Sequence, residues 1–169
     1  GLFQGTGMQI ESLELEAFAI VRAIIGGTRG RFALVDIGAR TTNVILVQDS
    51  VVHMSRSVDV GGADMTTAIM EGLNISYDRA LALKEGGDNF FTGPTRVNFA
   101  ALGAIANEVK RVLDAQQANT VDSLVLSGGG AQLTGIDEYF AQTTGLHVVK
   151  GHPLSRVVYD AATTGFLPE

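Results

Sequence analysis

The chain contains no cysteine and no tryptophan among its 169 residues. Without thiols, disulfide scaffolds and thiolate metal sites are excluded, and a reducing cytoplasm is the simplest home. No apolar run reaches membrane-spanning length, so direct membrane insertion is not expected. The opening Gly1-Leu2-Phe3-Gln4-Gly5-Thr6-Gly7 lacks the basic and apolar regions of a signal peptide. Leu2-Phe3-Gln4-Gly5 instead resembles the remnant of an engineered protease site. Residues 1–9 are therefore set aside, with a native start expected near Met8 and an excised piece of a longer protein as the result. Clustered basic residues are also missing. Twelve Lys and Arg against 18 Asp and Glu give a net charge of −6, which argues against a nucleic-acid partner. An acidic chain can still hold a nucleotide, because backbone N–H groups and a metal ion can carry phosphate.

Other chemistries lack their residues too. His53, His147 and His152 show no metal-ligand spacing, and Ser127 has no His/Asp partner set for nucleophilic hydrolysis. Phe90-Phe91 and Tyr139-Phe140 read as packing anchors.

What the chain does have is aliphatic residues and glycine in abundance. Leu13, Ala17, Ile20, Val21 and Ile24 recur at helical spacing over 11–25, with Ser12 as the expected N-cap and Gly26-Gly27 as the stop. From Arg31 the period changes. Residues 32–35, 44–47 and 51–58 are strand-length runs, the last two joined by Asp49-Ser50, and they predict a three-stranded antiparallel meander with a middle strand buried on both faces. A helix is expected over 63–72. Ser76 is placed to cap a helix over 77–85 that ends before Gly86. After a loop over 86–95, Val97, Ala101, Ile105, Val109 and Val112 form the stripe of a long helix. A buried strand over 124–126, a helix over about 135–144, a strand over 146–150 and a polar tail complete the order.

Two loops carry candidate chemistry. In the first, a strand delivers Asp36 to its end and Gly38-Ala39-Arg40-Thr41-Thr42 turns back into the next strand. A glycine lets the backbone approach a phosphate, threonine hydroxyls add donors, and an Asp suits hydrated Mg²⁺, which takes few protein ligands. The same residues also suit an ordinary hairpin turn, so this loop alone leaves both readings open. In the second, Ser127-Gly128-Gly129-Gly130 follows an apolar strand and precedes a helical segment. Three glycines leave N–H groups free and no side chain to block a ribose or a ring. A flexible connector is the alternative.

Taken together, the order strand–D-x-G-x-x-T-T–strand–strand, helices, strand–G-G-G–helix resembles the second domain of the actin/Hsp70/sugar-kinase superfamily. That implies an α/β fold, an actin-like ATPase (ribonuclease H-like) lobe whose mixed sheet is led by the three-stranded antiparallel meander with helices packed on it. Glu16-Ala17-Phe18-Ala19, the D-I-G-A turn, the G-G before a helix, the A…LK helix, IANEVKRVLD and LVLSGGGAQLTGIDEYFAQTTGLHV narrow the resemblance. Over roughly residues 14–150 the chain closely resembles the type IV pilus assembly protein PilM family, cytoplasmic actin-like proteins related to the cell-division protein FtsA.

The resemblance implies ATP or ADP with Mg²⁺ as ligands. Asp36 would sit near the metal through water, and Gly38, Ala39, Arg40, Thr41 and Thr42 would line the phosphates. Glu108 and Arg111 would reach towards ribose or adenine, a placement that a solvated helix face matches equally well. Gly128, Gly129 and Gly130 would flank the nucleoside, and Asn43 would be structural. It further implies that residues 10–169 are a second domain, with a core lobe over about 10–73 and 118–169 and a reduced upper subdomain over about 74–117. A first domain, with the groove for a PilN-like partner, would lie outside this chain, as would the Gly/Ala-rich helix with which the family usually ends. The intact protein would serve as a cytoplasmic platform, peripheral to the inner membrane through other pilus assembly proteins. The chain alone would then be a poor ATPase and prone to self-association. A scaffold module without nucleotide, or the equivalent half of FtsA or of a sugar or acetate kinase, are the alternatives.

Overall fold

A computed structural model describes residues 5–7, 9, 12–116 and 121–155. Leu2, Phe3 and Gln4 of the expected protease-site remnant, the native start at Met8 and most of the polar tail lie outside these residues.

Helix α1 spans Glu16–Ile24 and leads into β1 (Arg31–Ile37), β2 (Thr42–Gln48) and β3 (Val51–Val58). These three strands form the expected antiparallel meander, and β2 is buried from Val44 to Val47, on both faces. Its turn to β3 holds Asp49 and Ser50 at φ 49° and 67°, the twist that suits a two-residue hairpin. Asp49 is further fixed by Gly30, whose N–H donates to its Oδ1 at 3.0 Å. Helices α2 (Gly62–Leu73), α3 (Tyr77–Glu85) and α4 (Ala100–Ala115) follow, then β4 (Ser123–Ser127), a 3-10 turn over Gly129–Gln132, α5 (Ile136–Thr144) and β5 (Val148–Lys150). The sheet order is β3-β2-β1-β4-β5, with β4 parallel to β1 and β5 parallel to β4. This is a mixed sheet with helices on both sides.

The two faces bury different partners. Leu34, Ile45, Val47 and Val125 lie under α1, packed with Val21 and Ile25. Val35, Ile37, Val44, Leu46, Leu124 and Leu126 face the larger layer, where Ile69, Ile105, Val109, Ile136 and Phe140 close over them. Alternation along each strand therefore assigns every side chain to one layer.

Two sequence expectations change. Helix α1 begins at Glu16, not Ser12; Leu15 stands at its N-cap in an extended conformation and no side chain caps it. Leu13 lies ahead of the helix and is 90% exposed, so it does not belong to the buried stripe. Helix α4 likewise begins after Val97. The Val97 N–H donates to Phe90 O at 2.8 Å, which closes the preceding loop and keeps Val97 out of the helix, although its side chain is buried. Helix α3 meets its expectation residue for residue: Ser76 Oγ accepts from Arg79 N–H and Gly86 follows the last turn.

Candidate functional site

The parallel pairing of β1 with β4 sets Asp36 beside Ser127. Asp36 opposes Asn43 on β2, which in turn opposes Ser57 on β3, so Ser127, Asp36, Asn43 and Ser57 form one row across four strands. The pleat puts Asp36 on the same side as Leu34, the side that α1 covers. Glu16, in the first turn of α1, accepts from Asn43 Nδ2 at 3.4 Å, and Ser57 Oγ donates to Asn43 Oδ1 at 2.6 Å. Asn43 is thus structural, joining three elements. Burial pushes the Asp36 carboxyl above its ordinary range; the Ser127 hydroxyl bonded to it pulls the other way, and the Glu16 charge adds to the rise.

The two glycine-bearing loops meet at this row. Gly128 follows Ser127 at φ 86°, and a Cβ built there would stand 2.4 Å from Ile37 O and 2.9 Å from Asp36 Oδ1. A Cβ on Gly130 would stand 2.3 Å from Ile37 Cγ2. Only glycine permits this approach of the second loop onto the first. Gly129 has nothing within 4 Å of the same position and is exposed. Gly129 and Gly130 head a 3-10 turn, so their N–H groups have no acceptor within that turn.

The hairpin itself is closed by Gly38 N–H donating to Thr41 O at 2.9 Å. Ala39, Arg40 and Thr41 are exposed at its tip. Thr42 is buried and its hydroxyl donates to Val60 O at 2.8 Å, so its proton is committed within the fold. The carbonyls of Gly38 and Ala39 accept from the Gly62 and Ala63 N–H groups of α2, at 2.9 and 2.8 Å.

Glu108 and Arg111 lie on α4. Glu108 pairs with Arg56 of β3 at 3.7 Å and with Arg111 at 3.4 Å, which ties the pair to the β3 side of the sheet. The structure thus brings together Asp36, Gly38–Thr41 and Gly128–Gly130, and ties Glu108 and Arg111 to β3. Sequence reasoning missed Glu16 and Ser127 as neighbours of Asp36. The signal was the strand alternation, which sets Asp36, Asn43 and Ser127 on one face once β1 and β4 are paired. Among the described residues no group of three or more His, Cys, Asp and Glu is placed to hold a metal ion alone. The donors present are instead the Asp36 carboxylate, the Glu16 carboxylate whose charge acts on it, and hydroxyls. That set fits a hydrated Mg²⁺, which keeps several waters.

Clefts of about 740 Å³ between α2 and α4 and about 800 Å³ beside α5 exist, but neither is lined by Asp36 or the three glycines. No described helix is long and apolar enough to cross a membrane.

Comparison with known proteins agrees with this fold. The model of a family described as type IV pilus assembly protein PilM matches residues 2–163. Among solved structures, a PilM-PilN type IV pilus biogenesis complex is similar at 23% identity and TM-score 0.72, over 94% of this chain and 48% of that one. The ethanolamine utilization protein EutJ from Carboxydothermus hydrogenoformans is similar at 26% identity and TM-score 0.72, over 90% of this chain and 54% of that one. MreB5 of Spiroplasma citri bound to ADP is similar at 18% identity and TM-score 0.62, over 87% and 57%. The fold is that of an actin-like lobe, and the chain spans about half the length of these structures.

Proposed function

The chain belongs to the type IV pilus assembly protein PilM family, and from that premise we propose that it is one wall of a Mg·ATP site. The observation that carries this reading is the contact between the Asp36 hairpin and the glycine loop at the C-terminal ends of the parallel strands β1 and β4. Open α/β sheets take ligands beyond those strand ends. The residues Ala39, Arg40 and Gly129 are exposed; their N–H groups would offer donors to phosphate, and Arg40 would bring a cation. The Glu16 charge adds to the rise in the Asp36 pKa, and a divalent cation at Asp36 would offset it. Mg²⁺, when bound, would neutralise phosphate oxygens. Asp36 would orient its waters, and Ser127 would hold Asp36. Glu108 and Arg111 would contact a ribose only if their ion pairs opened.

Phosphoryl transfer depends on enclosure and positioning. One wall supplies neither on its second side, so this chain binds nucleotide weakly and turns it over poorly. In the longer protein the site would be completed by another domain, and the whole would act in type IV pilus assembly as a platform at the inner membrane for partners such as a PilN-like segment. Calorimetric titration with Mg·ATP, beside an Asp36→Ala control, tests this. Weak binding that the control loses is the expected result; no binding by the folded chain would refute it. Turnover that vanishes in the control would refute the inactivity of the isolated lobe.

A second reading is self-association. Leu13, Leu15 and Phe18 are 90%, 71% and 46% exposed around the entry to α1. Such a patch marks a contact surface. A concentration-dependent mass in sedimentation is expected, and a sharp monomer at high concentration would exclude it.

A further inference from the structure

Lys84 is a half-buried ammonium in the last turn of α3. Its Nζ donates to Gly62 O at 2.8 Å and to Thr66 Oγ1 at 2.7 Å. The Thr66 hydroxyl donates in turn to Gly62 O at 3.1 Å. This cation therefore sits against the first turn of α2, the positive end of that helix's dipole. None of the ion pairs between described residues involves it. Burial holds its pKa below the ordinary lysine range, with the neighbouring Glu85 charge opposing. A charge kept in so poor a place must hold something that offsets the cost.

What it holds is the support of the hairpin. Gly62 and Ala63 are the residues whose N–H groups donate to Gly38 O and Ala39 O. Gly61 lies so close that an added Cβ would stand 2.6 Å from Gly38 O and 2.8 Å from Arg40 N. On the other side, a Cβ on Gly62 would stand 3.8 Å from Gly130 Cα and 3.5 Å from Lys84 Nζ. An unbroken chain of contacts runs from α3 through Lys84 to the first turn of α2, and from there to the tip of the hairpin. A second branch touches the glycine loop.

We propose that Lys84 is a positioning residue that couples α3 to the Asp36 hairpin by holding the first turn of α2 against Gly38 and Ala39. Its consequence for ligand rests on the reading of the hairpin as a phosphate site; its mechanical part rests on the hydrogen bonds alone. Donors aimed at a phosphate act best when their spacing is fixed beforehand. Linkage makes the coupling reciprocal: a partner that displaces α3 loosens the hairpin, and a ligand on the hairpin steadies α3.

The test is amide hydrogen exchange, read by NMR on the 169-residue chain, with Lys84→Met and Thr66→Val as variants. Lys84→Met keeps the aliphatic stem and removes both donations. Exchange at Gly62 and Ala63 is expected to accelerate about tenfold, the scale of one lost hydrogen bond to a charged group. Exchange at Leu34, Ile45 and Val109 is expected to stay within about twofold, since these belong to separately opening parts of the core. Thr66→Val should give the same pattern with smaller amplitude, and Lys84→Arg, which restores a donor, should recover part of the protection. Unchanged exchange at Gly62 and Ala63 in both variants would overturn the proposal. So would uniform acceleration along the chain, because Lys84 would then contribute stability without positioning. Titration with Mg·ATP separates the two layers. A parent chain that binds no Mg·ATP overturns the nucleotide reading and leaves exchange to decide the clamp. A Lys84→Met chain that binds as tightly as its parent, with its amides loosened, overturns the functional coupling.

Discussion

Alanine at each of three consecutive glycines should give three different outcomes. Gly128 has φ 86° and ψ 169°, a region open in practice only to glycine and costing other residues about 1–3 kcal/mol. Its added Cβ would meet backbone, Ile37 O at 2.4 Å and Ile37 C at 2.8 Å, as well as Asp36 Oδ1. Backbone cannot step aside as a flexible side chain can, and overpacking adds about 1–3 kcal/mol more. A combined loss of about 4 kcal/mol lowers the melting temperature of a domain this size by roughly 8–16 °C. At Gly130 no left-handed φ is required, but the Cβ would stand 2.3 Å from the Cγ2 of buried Ile37. Overpacking alone, about 2 kcal/mol, predicts a fall of roughly 4–8 °C. At Gly129 nothing lies within 4 Å, and alanine in a helical turn gains about 0.5–1 kcal/mol over glycine. Scanning calorimetry of the three variants should therefore rank them Gly128 worst, Gly130 intermediate and Gly129 unchanged or slightly improved. A Gly128→Ala chain that melts with its parent would refute the tight docking of the loop on Asp36 and Ile37. Equal damage at Gly129 would refute it as well. Gly129→Ala also probes the ligand: its methyl projects into open space where the nucleoside would lie, so weakened Mg·ATP binding without loss of stability is expected.

Three further outcomes follow from particular contacts. The Asp36 pKa is raised in the folded chain, so folding favours its protonated form; the carboxylate's cost is absent below the unfolded pKa and complete above the folded one. Asp36→Asn should then melt above its parent at neutral pH, with the gap closing as pH falls through the carboxylate range, while Mg·ATP binding is lost throughout; a pH-independent gap would refute this. Ser76→Ala removes the cap that accepts from Arg79 N–H and should cost about 1 kcal/mol, seen as a lower melting temperature and faster exchange in the first turn of α3. Glu108→Ala breaks two partly exposed ion pairs worth roughly 0.2–1 kcal/mol each. Unchanged Mg·ATP affinity would set aside a ribose contact there, and a clear loss would support one.

Local signals made much of this architecture legible. Ser76 and Gly86 delimit α3 because a cap and a stop act within a turn of where they stand. The Asp49-Ser50 turn and the aliphatic runs beside it fix the meander for the same reason. Helix α1 escaped because Ser12, a good cap in isolation, competes with an extended segment before Glu16 that no local rule encodes. Val97 escaped because its N–H is used by a loop carbonyl seven residues back. The site was legible as two loops but not as a constellation. Asp36 meets Ser127 only through a parallel pairing across some ninety residues of sequence, and meets Glu16 only through packing of α1. Nothing in either loop states which face of the sheet Asp36 takes until that pairing is known.

The placement of α2 then decides how a phosphate would be held. A helix that starts beside a glycine-bearing hairpin is ordinarily the phosphate's own seat, since its first N–H groups point outward with the dipole behind them. Here those groups are taken: Gly62 and Ala63 donate to the hairpin carbonyls, and Gly61 N–H donates to Asp64 Oδ2 at 2.8 Å. The helix therefore stiffens the hairpin instead of meeting the ligand. Donors for phosphate must come from the exposed tip, Ala39 to Thr41, and from the head of the 3-10 turn at Gly129. A nucleotide held on these two loops alone would be gripped from one direction only. Anything that closes over Arg40 would multiply affinity without changing a single contact on this chain. That is why titration of the isolated lobe should yield weak but Asp36-dependent binding.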